Sequence, residues 1–209
     1  LREIFGAGFS DSEVDKMIYS RDASDLEGET SAVVWPKESK QIHNLVAYAK
    51  RFEYNLVPRG AGTSLQGGCI PAKSIVVDMS KMNKVLEVGE DYVWVEAGAV
   101  LDEVNLRLHG REIAVKPINH AVCTIGGMVA MNSLGVEVEN GKISQYVLEI
   151  EAVDGSGKYL KMGLPALKNF VGLEGTSGII TKVKLRTVKR EMKSYMIYKF
   201  NTLGSMMQK

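Results

Sequence analysis

"VPRGAGTSLQGG", residues 57–68, places Gly60, Gly62, Gly67 and Gly68 behind a proline and an arginine, at the end of the short apolar run "NLVP" (55–58). Glycine has no Cβ, so such a loop brings main-chain N–H groups close to a ligand or adopts positive φ. Successive N–H groups turned inward make a concave anion site, which points to a phosphate. Two well-known nucleotide loops fail on position. A Rossmann turn, G-x-G-x-x-G, accepts Gly60 and Gly62 but meets Leu65 at its third glycine. A P-loop, G-x-x-x-x-G-K-[ST], accepts Gly62 and Gly67 but meets Gly68 where lysine is needed. Gly67, Gly68 and Pro71 also interrupt any helix that would follow.

The loop sits in a β-α-β frame. "EGETSAVVWP" (27–36) contains a short strand stopped by Pro36. Ile42, Leu45, Val46, Ala49 and Phe52 then fall at helical spacing over 37–52. "NLVP" and "SIVVDMS" (74–80) are strands on either side of the glycines, with the crossover helix lying between parallel strands. Upstream, Ser10 and Glu13 form an S-x-x-E capping box for a short helix through Val14, Met17 and Ile18.

Downstream the pattern changes to antiparallel pairing. "KVLEVGEDYVWVEAG" (84–98) is two strands around a Gly-Glu-Asp turn, and Val100 to Leu108 form a helix closed by Gly110. "EIAV" (112–115), "YVLEIEAV" (146–153), "GKYLKM" (157–162) and "GIITKVKLRTV" (178–188) are further strands. Lys182, Lys184 and Arg186 alternate with apolar residues as on a solvated sheet face. "SYMIYKFNTLGSMMQK" (194–209) reads as a strand and the start of a helix.

The composition is that of a globular domain: 209 residues, 45% hydrophobic and 24% charged, with net charge +1. The absence of a basic excess argues against a nucleic-acid partner. Two cysteines, Cys69 and Cys123, are too few for a disulfide scaffold, and a reducing cytoplasm is the simpler setting. No apolar run approaches the ~20 residues of a transmembrane helix. The histidines and cysteines are too scattered for a metal site.

Two further glycine segments follow the first. "CTIGGMVAMNSLG" (123–135) holds Gly126-Gly127, and "GLEGTSGIIT" (172–181) holds Gly172, Gly175 and Gly178. Taken singly, Gly126-Gly127 serves equally well for tight helix packing, and the third segment for a turn before a strand. Together the three segments, each with a threonine (Thr63, Thr124, Thr176), point to loops converging on one extended, phosphate-bearing ligand.

"PRGAGTSLQGG", "TIGGMVAMNSLG" and "EGTSGIITKVKL", in this order and at these separations, resemble the FAD-binding domain of the vanillyl-alcohol oxidase type (PCMH-type). The branch most resembled contains the FAD subunit of glycolate oxidase and D-lactate dehydrogenase. "YSRDAS", "VVWPKESKQIHNLVAYAKR" and "IVVDMSKMNKVLEV" match that branch as well, so the resemblance covers about residues 15–190.

The resemblance implies an α+β, two-lobed FAD-binding domain over 29–190. A small β-α-β lobe (about 29–83) would face a larger, mainly antiparallel lobe with helices (about 84–190). Residues 1–28 would be an N-terminal helical segment, and 191–209 the start of a C-terminal cap domain. It further implies that Arg59, Gly60, Ala61, Gly62, Thr63 and Ser64, with Gly67 in the same loop, wrap the pyrophosphate of FAD. Pro117, Thr124, Gly126 and Gly127 would run beside the ribityl chain and flavin ring. Glu174, Gly175, Gly178 and Ile180 would hold the adenosine end and the far wall. The first loop has no histidine, so FAD is expected to bind non-covalently.

The reaction so implied is oxidation of a D-2-hydroxy acid, glycolate or D-lactate in class, to the 2-oxo acid. The substrate would be bound through the cap domain, and no catalytic residue is assigned. Alternatives are a flavin-binding or electron-transfer subunit completed by a partner, and a reductase on the same fold. Expected partners are an electron-acceptor protein or a partner subunit, which would also be the route to any membrane attachment. His120, in "KPINHAVC", has no orienting carboxylate near it in sequence and reads as a loop histidine. Cys123 reads as a small buried hydrophobe.

Overall fold

The computed structural model describes residues 1–191 and 196–207. The chain opens with α1 (Arg2–Phe5), β1 (Phe9–Ser10) and α2 (Glu13–Tyr19), followed by β2 (Glu29–Val34), α3 (Ser39–Arg51), β3 (Asn55–Arg59) and β4 (Ala72–Asp78). These four strands make one sheet in the order β1-β2-β4-β3. The β-α-β frame is present, with a difference. β4 lies between β2 and β3, parallel to both, so the two strands joined by α3 are not neighbours. The burial demand of β4 explains its place: Ser74 to Asp78 are all buried, and a strand covered on both faces belongs in the middle of a sheet.

α3 behaves as its periodicity requires, burying Ile42, Leu45, Val46 and Ala49 and ending in Lys50 and Arg51 at the negative end of its dipole. The start of α2 differs from expectation. Its N-cap is Ser12, whose hydroxyl accepts from the Asp15 main-chain N–H, while the Ser10 hydroxyl donates to the Asp15 carboxylate. A serine at 12 with an acceptor at 15 forms the capping pair, two residues later than the expected pair of Ser10 and Glu13. β1 adds the N-terminal segment to the sheet edge by pairing antiparallel with β2.

The second sheet comprises β5 (Val85–Val88), β6 (Tyr92–Glu96), and, beyond α4 (Leu101–Asn105), β7 (Arg111–Glu112) and α5 (Ile125–Ala130), the strands β8 (Val147–Asp154), β9 (Tyr159–Met162) and β10 (Gly178–Arg186). Its order is β5-β6-β10-β8-β9, antiparallel throughout. β7 stands apart, paired only with β11 (Val188–Lys189). Of the expected "EIAV" strand, only Glu112 is in a strand, together with the preceding Arg111. Ile113, Ala114 and Val115 are buried outside any strand, and the Ile113 N–H is satisfied by the Asn105 side chain. Residues 196–200 form no strand, and α6 (Leu203–Met207) follows. The rest of the expected 194–209 pattern lies outside the described residues.

One continuous core joins the two sheets, with α3 packed on β8 across the junction. Where the lobes meet, Ala97-Gly98-Ala99 leaves β6 with almost no side chain. The Gly126 N–H donates to Ala97 O at 2.7 Å and the Ile125 N–H to Ala99 O at 2.9 Å, while Gly98 N–H reaches Met82 O at 2.8 Å. A Cβ on Gly98 would lie 1.9 Å from Met79 O, so backbones cross there that no larger residue would let pass. On the outer face of the second sheet, Lys182 pairs with Glu151, and Lys184 lies over the rings of Tyr92 and Trp94. That is a paired, solvent-facing surface, as the alternation of charge implies.

Candidate functional site

The loop after β3 opens the cleft between the lobes. Gly62 has φ +68°, in the left-handed region that glycine enters without cost. Its carbonyl accepts the Ala23 N–H at 3.2 Å. Ser64 Oγ accepts the N–H groups of Gln66 and Gly68, closing the following turn. Among the described residues, the main-chain N–H groups of Ala61, Gly62, Thr63 and Ser64 have no acceptor within the protein. Four successive free donors are what an anion, or water in its stead, satisfies.

Arg59 stands at the base of this loop in a fixed pose. Its guanidinium donates to Arg21 O at 2.7 Å and lies 5.2 Å from the centroid of the Tyr19 ring. The Tyr19 hydroxyl and the Trp35 indole N–H both donate to the Asp78 carboxylate. Burial, reinforced by the hydrogen bond and charge of Asp78, pushes the Tyr19 hydroxyl up to about 12. The side chains beneath the loop thus form one network ending in a cation at the cleft.

The three glycine segments meet pairwise. Gly60 lies against Thr124, whose Oγ1 would be 2.2 Å from a Cβ at 60. Gly175, at φ +82°, lies against Pro58, whose Cγ would be 2.6 Å from a Cβ. The N–H groups of Gly172 and Glu174 donate to the carbonyls of Val129 and Ala130 at the end of α5. Thr124 caps α5 by accepting from Gly127 N–H. The contact between Gly126 and Ala97 shows the packing role of that glycine: a Cβ would approach the Ala97 Cβ to 2.7 Å. On the far wall, Ile179 and Ile180 are both buried, just ahead of a bulge between Ile180 and Lys182.

These segments enclose a cleft of about 670 Å³. Of the residues expected from the sequence, Arg59 to Ser64, Thr124, Gly126, Gly127, Glu174, Gly175, Gly178 and Ile180 all line it. Gly67 and Pro117 do not. Gly67 turns away toward Leu26 and Ile70, and the Pro117 carbonyl is used by the His120 N–H in a turn that presents Ile118 and Asn119 instead.

His120 lies in a loop, as its sequence context implies, and the fold brings to it a carboxylate that is distant in sequence. Its Nδ1 lies 2.8 and 2.9 Å from the two carboxylate oxygens of Asp102, eighteen residues earlier on α4. Asn119 was not foreseen; its amide donates to Thr63 Oγ1 at 2.8 Å. Nor were Cys69, Met131, Asn132 and Ser133, which also line the cleft and sit in the quoted glycine segments or directly after them.

Titratable groups in the lining, among the described residues, are Arg59, Cys69, Cys123 and Glu174. Burial pushes both thiols up to about 11, so each is a neutral, unreactive group at pH 7. Exposed Leu65, Ile118 and Leu134 stand in the lining as an apolar rim. No group of three or more metal-ligating side chains occurs among the described residues. No helix there is long and apolar enough to cross a membrane.

The family described as FAD binding domain matches residues 30–163. The glycolate oxidase subunit GlcD of Bacillus subtilis (strain 168) is 29% identical over 217 residues, covering 96% of this chain and 46% of that protein. The D-lactate dehydrogenase of Archaeoglobus fulgidus is 33% identical over 174 residues, covering 76% of this chain and 39% of that protein. Among solved structures, an alkyldihydroxyacetonephosphate synthase superposes with a TM-score of 0.80 at 22% identity, covering 88% of this chain and 38% of that one. The last likeness shows the fold. The chain spans less than half the length of these relatives. It belongs to the FAD-binding domain family, its match covering well over half of the sequence.

Proposed function

We propose that this member of the FAD-binding domain family is the flavin-holding part of an oxidoreductase that oxidises a 2-hydroxy acid to the 2-oxo acid. The observation that carries the cofactor assignment is the run of free N–H donors at Ala61–Ser64, set on a left-handed Gly62 beside the Arg59 cation. The substrate class comes from the named relatives, a glycolate oxidase subunit and a D-lactate dehydrogenase.

The residues divide the work by chemistry. Ala61 to Ser64 donate to the pyrophosphate, and Arg59 offsets its charge. The second segment, at Thr124, Gly126 and Gly127, and the third, from Glu174 to Ile180, hold the two ends of the extended cofactor. Bound FAD supplies the acceptor for the hydride leaving C2 of the hydroxy acid.

A 2-hydroxy acid needs a cationic clamp for its carboxylate and a base for its hydroxyl proton. We assign both to a covering domain that seals the apolar rim at Leu65, Ile118 and Leu134 and keeps water from the reacting atoms. Electron transfer onward would pass to an acceptor protein or partner subunit.

The test is to saturate the protein with a mixture of FAD and FMN, remove the free flavin, denature, and identify what is released. FAD is expected, because the cleft offers both a pyrophosphate cradle and a separate far wall. FMN as the retained flavin would refute the assignment.

A further inference from the structure

We infer that Asn119 is a positioning residue for the anion-binding loop, setting the Thr63 hydroxyl as a donor toward the ligand's phosphates. The inference rests on the reading of the cleft as the FAD site.

Asn119 comes from the larger lobe and Thr63 from the smaller, and the bond between them, Asn119 Nδ2 to Thr63 Oγ1 at 2.8 Å, crosses the cleft. The nitrogen of an amide side chain only donates. With its oxygen accepting from Asn119, the Thr63 hydroxyl has to direct its own proton elsewhere. A hydroxyl that accepts one hydrogen bond also becomes a stronger donor of the next. The Thr63 main-chain N–H and its neighbours at 61, 62 and 64 are free donors as well. The effect of Asn119 is to add the Thr63 hydroxyl to the four free N–H groups as a further donor, which suits an anion.

Asn119 is itself mounted rigidly. Its carbonyl accepts the N–H groups of both Val122 and Cys123 at 3.0 Å, and the Pro117 carbonyl accepts that of His120 at 3.0 Å. The adjacent His120 is tied to the Asp102 carboxylate on α4. A mounting of two overlapping turns and a side-chain anchor holds the amide in place before a ligand arrives. Such preorganisation is what turns one hydrogen bond into affinity.

FAD affinity of the unmodified protein and of Asn119→Ala, Asn119→Asp, Thr63→Val and Asn119→Ala/Thr63→Val, measured by quenching of flavin fluorescence, tests this. Asn119→Ala should weaken FAD binding by about tenfold, and should add nothing in the Thr63→Val background, because the amide acts through that hydroxyl. Asn119→Asp should bind FAD less well than Asn119→Ala, since a carboxylate draws the Thr63 proton toward itself. Direct repulsion of the phosphates by the new carboxylate would persist in a Thr63→Val background, whereas an effect carried by the hydroxyl vanishes there. A residue that merely straps the lobes together predicts that Asn119→Asp, which keeps a hydrogen bond to Thr63, loses nothing beyond that repulsion. Unchanged affinity in Asn119→Ala, full additivity with Thr63→Val, or aspartate outperforming alanine each overturns the inference while leaving the cleft assignment standing. Failure of the unmodified protein to bind FAD overturns both.

Discussion

Replacing Gly62 by alanine tests the anion loop where its geometry is tightest. At φ +68° an added Cβ is strained whatever the space around it, at a cost of roughly 1–2 kcal/mol. Here the space is also taken: the Cβ would lie 2.2 Å from Arg59 Nη2 and 2.5 Å from its Cζ. A free arginine would swing away, but this one is held by the Arg21 carbonyl and the Tyr19 ring. Breaking a hydrogen bond to a charged donor costs about 1.5–3 kcal/mol, toward the lower end here because the guanidinium is only partly covered. The sum is roughly 2.5–4 kcal/mol, or about 5–16 °C in Tm for a chain of this size. FAD affinity should fall by about tenfold or more, since the displaced cation and the altered N–H directions both belong to the phosphate site. Thermal melting of the apo protein and FAD titration read the two effects separately. In an Arg59→Ala background the clash has no partner, and Gly62→Ala should then cost only the backbone strain. A Gly62→Ala protein with unmodified melting and affinity would refute the argument from both φ and contact.

Two further outcomes follow from the titratable groups. The Tyr19 phenol, normally near 10, is held up to about 12 in the folded protein, so the native state keeps a proton that the unfolded chain loses. Its contribution is complete below pH 10 and is lost as the pH rises from 10 to 12. Alkaline unfolding followed by circular dichroism should therefore shift in Tyr19→Phe, with a shallower fall in stability over that window; identical profiles would count against the Asp78 network. Cys69 and Cys123, both buried with thiols near 11, should resist a thiol reagent at pH 7 and react fully once guanidinium unfolds the chain, and rapid labelling of either in the native protein would contradict their placement.

What the sequence determined by itself is what local chemistry encodes. The helix over 39–51 follows from apolar residues at helical spacing. The strand at 74–78 follows from a β-branched run, and the glycine loop from residues that alone permit its backbone. The match of three spaced segments to one family added the FAD assignment, since their order and separation carry information that no single loop holds.

What only the tertiary structure decided are relations between distant residues. Nothing local places β4 between β2 and β3, because that depends on which strand most needs cover on both faces. Asp102 reaches His120 because α4 folds back beside the 116–124 connection, and Asn119 meets Thr63 because the two lobes face each other. Gly126 serves packing because Ala97-Gly98-Ala99 crosses beneath it. Periodicity and glycine content report how a segment treats its own backbone. Which side chains meet across a cleft is set by long-range packing, and it becomes visible only when the chain has folded.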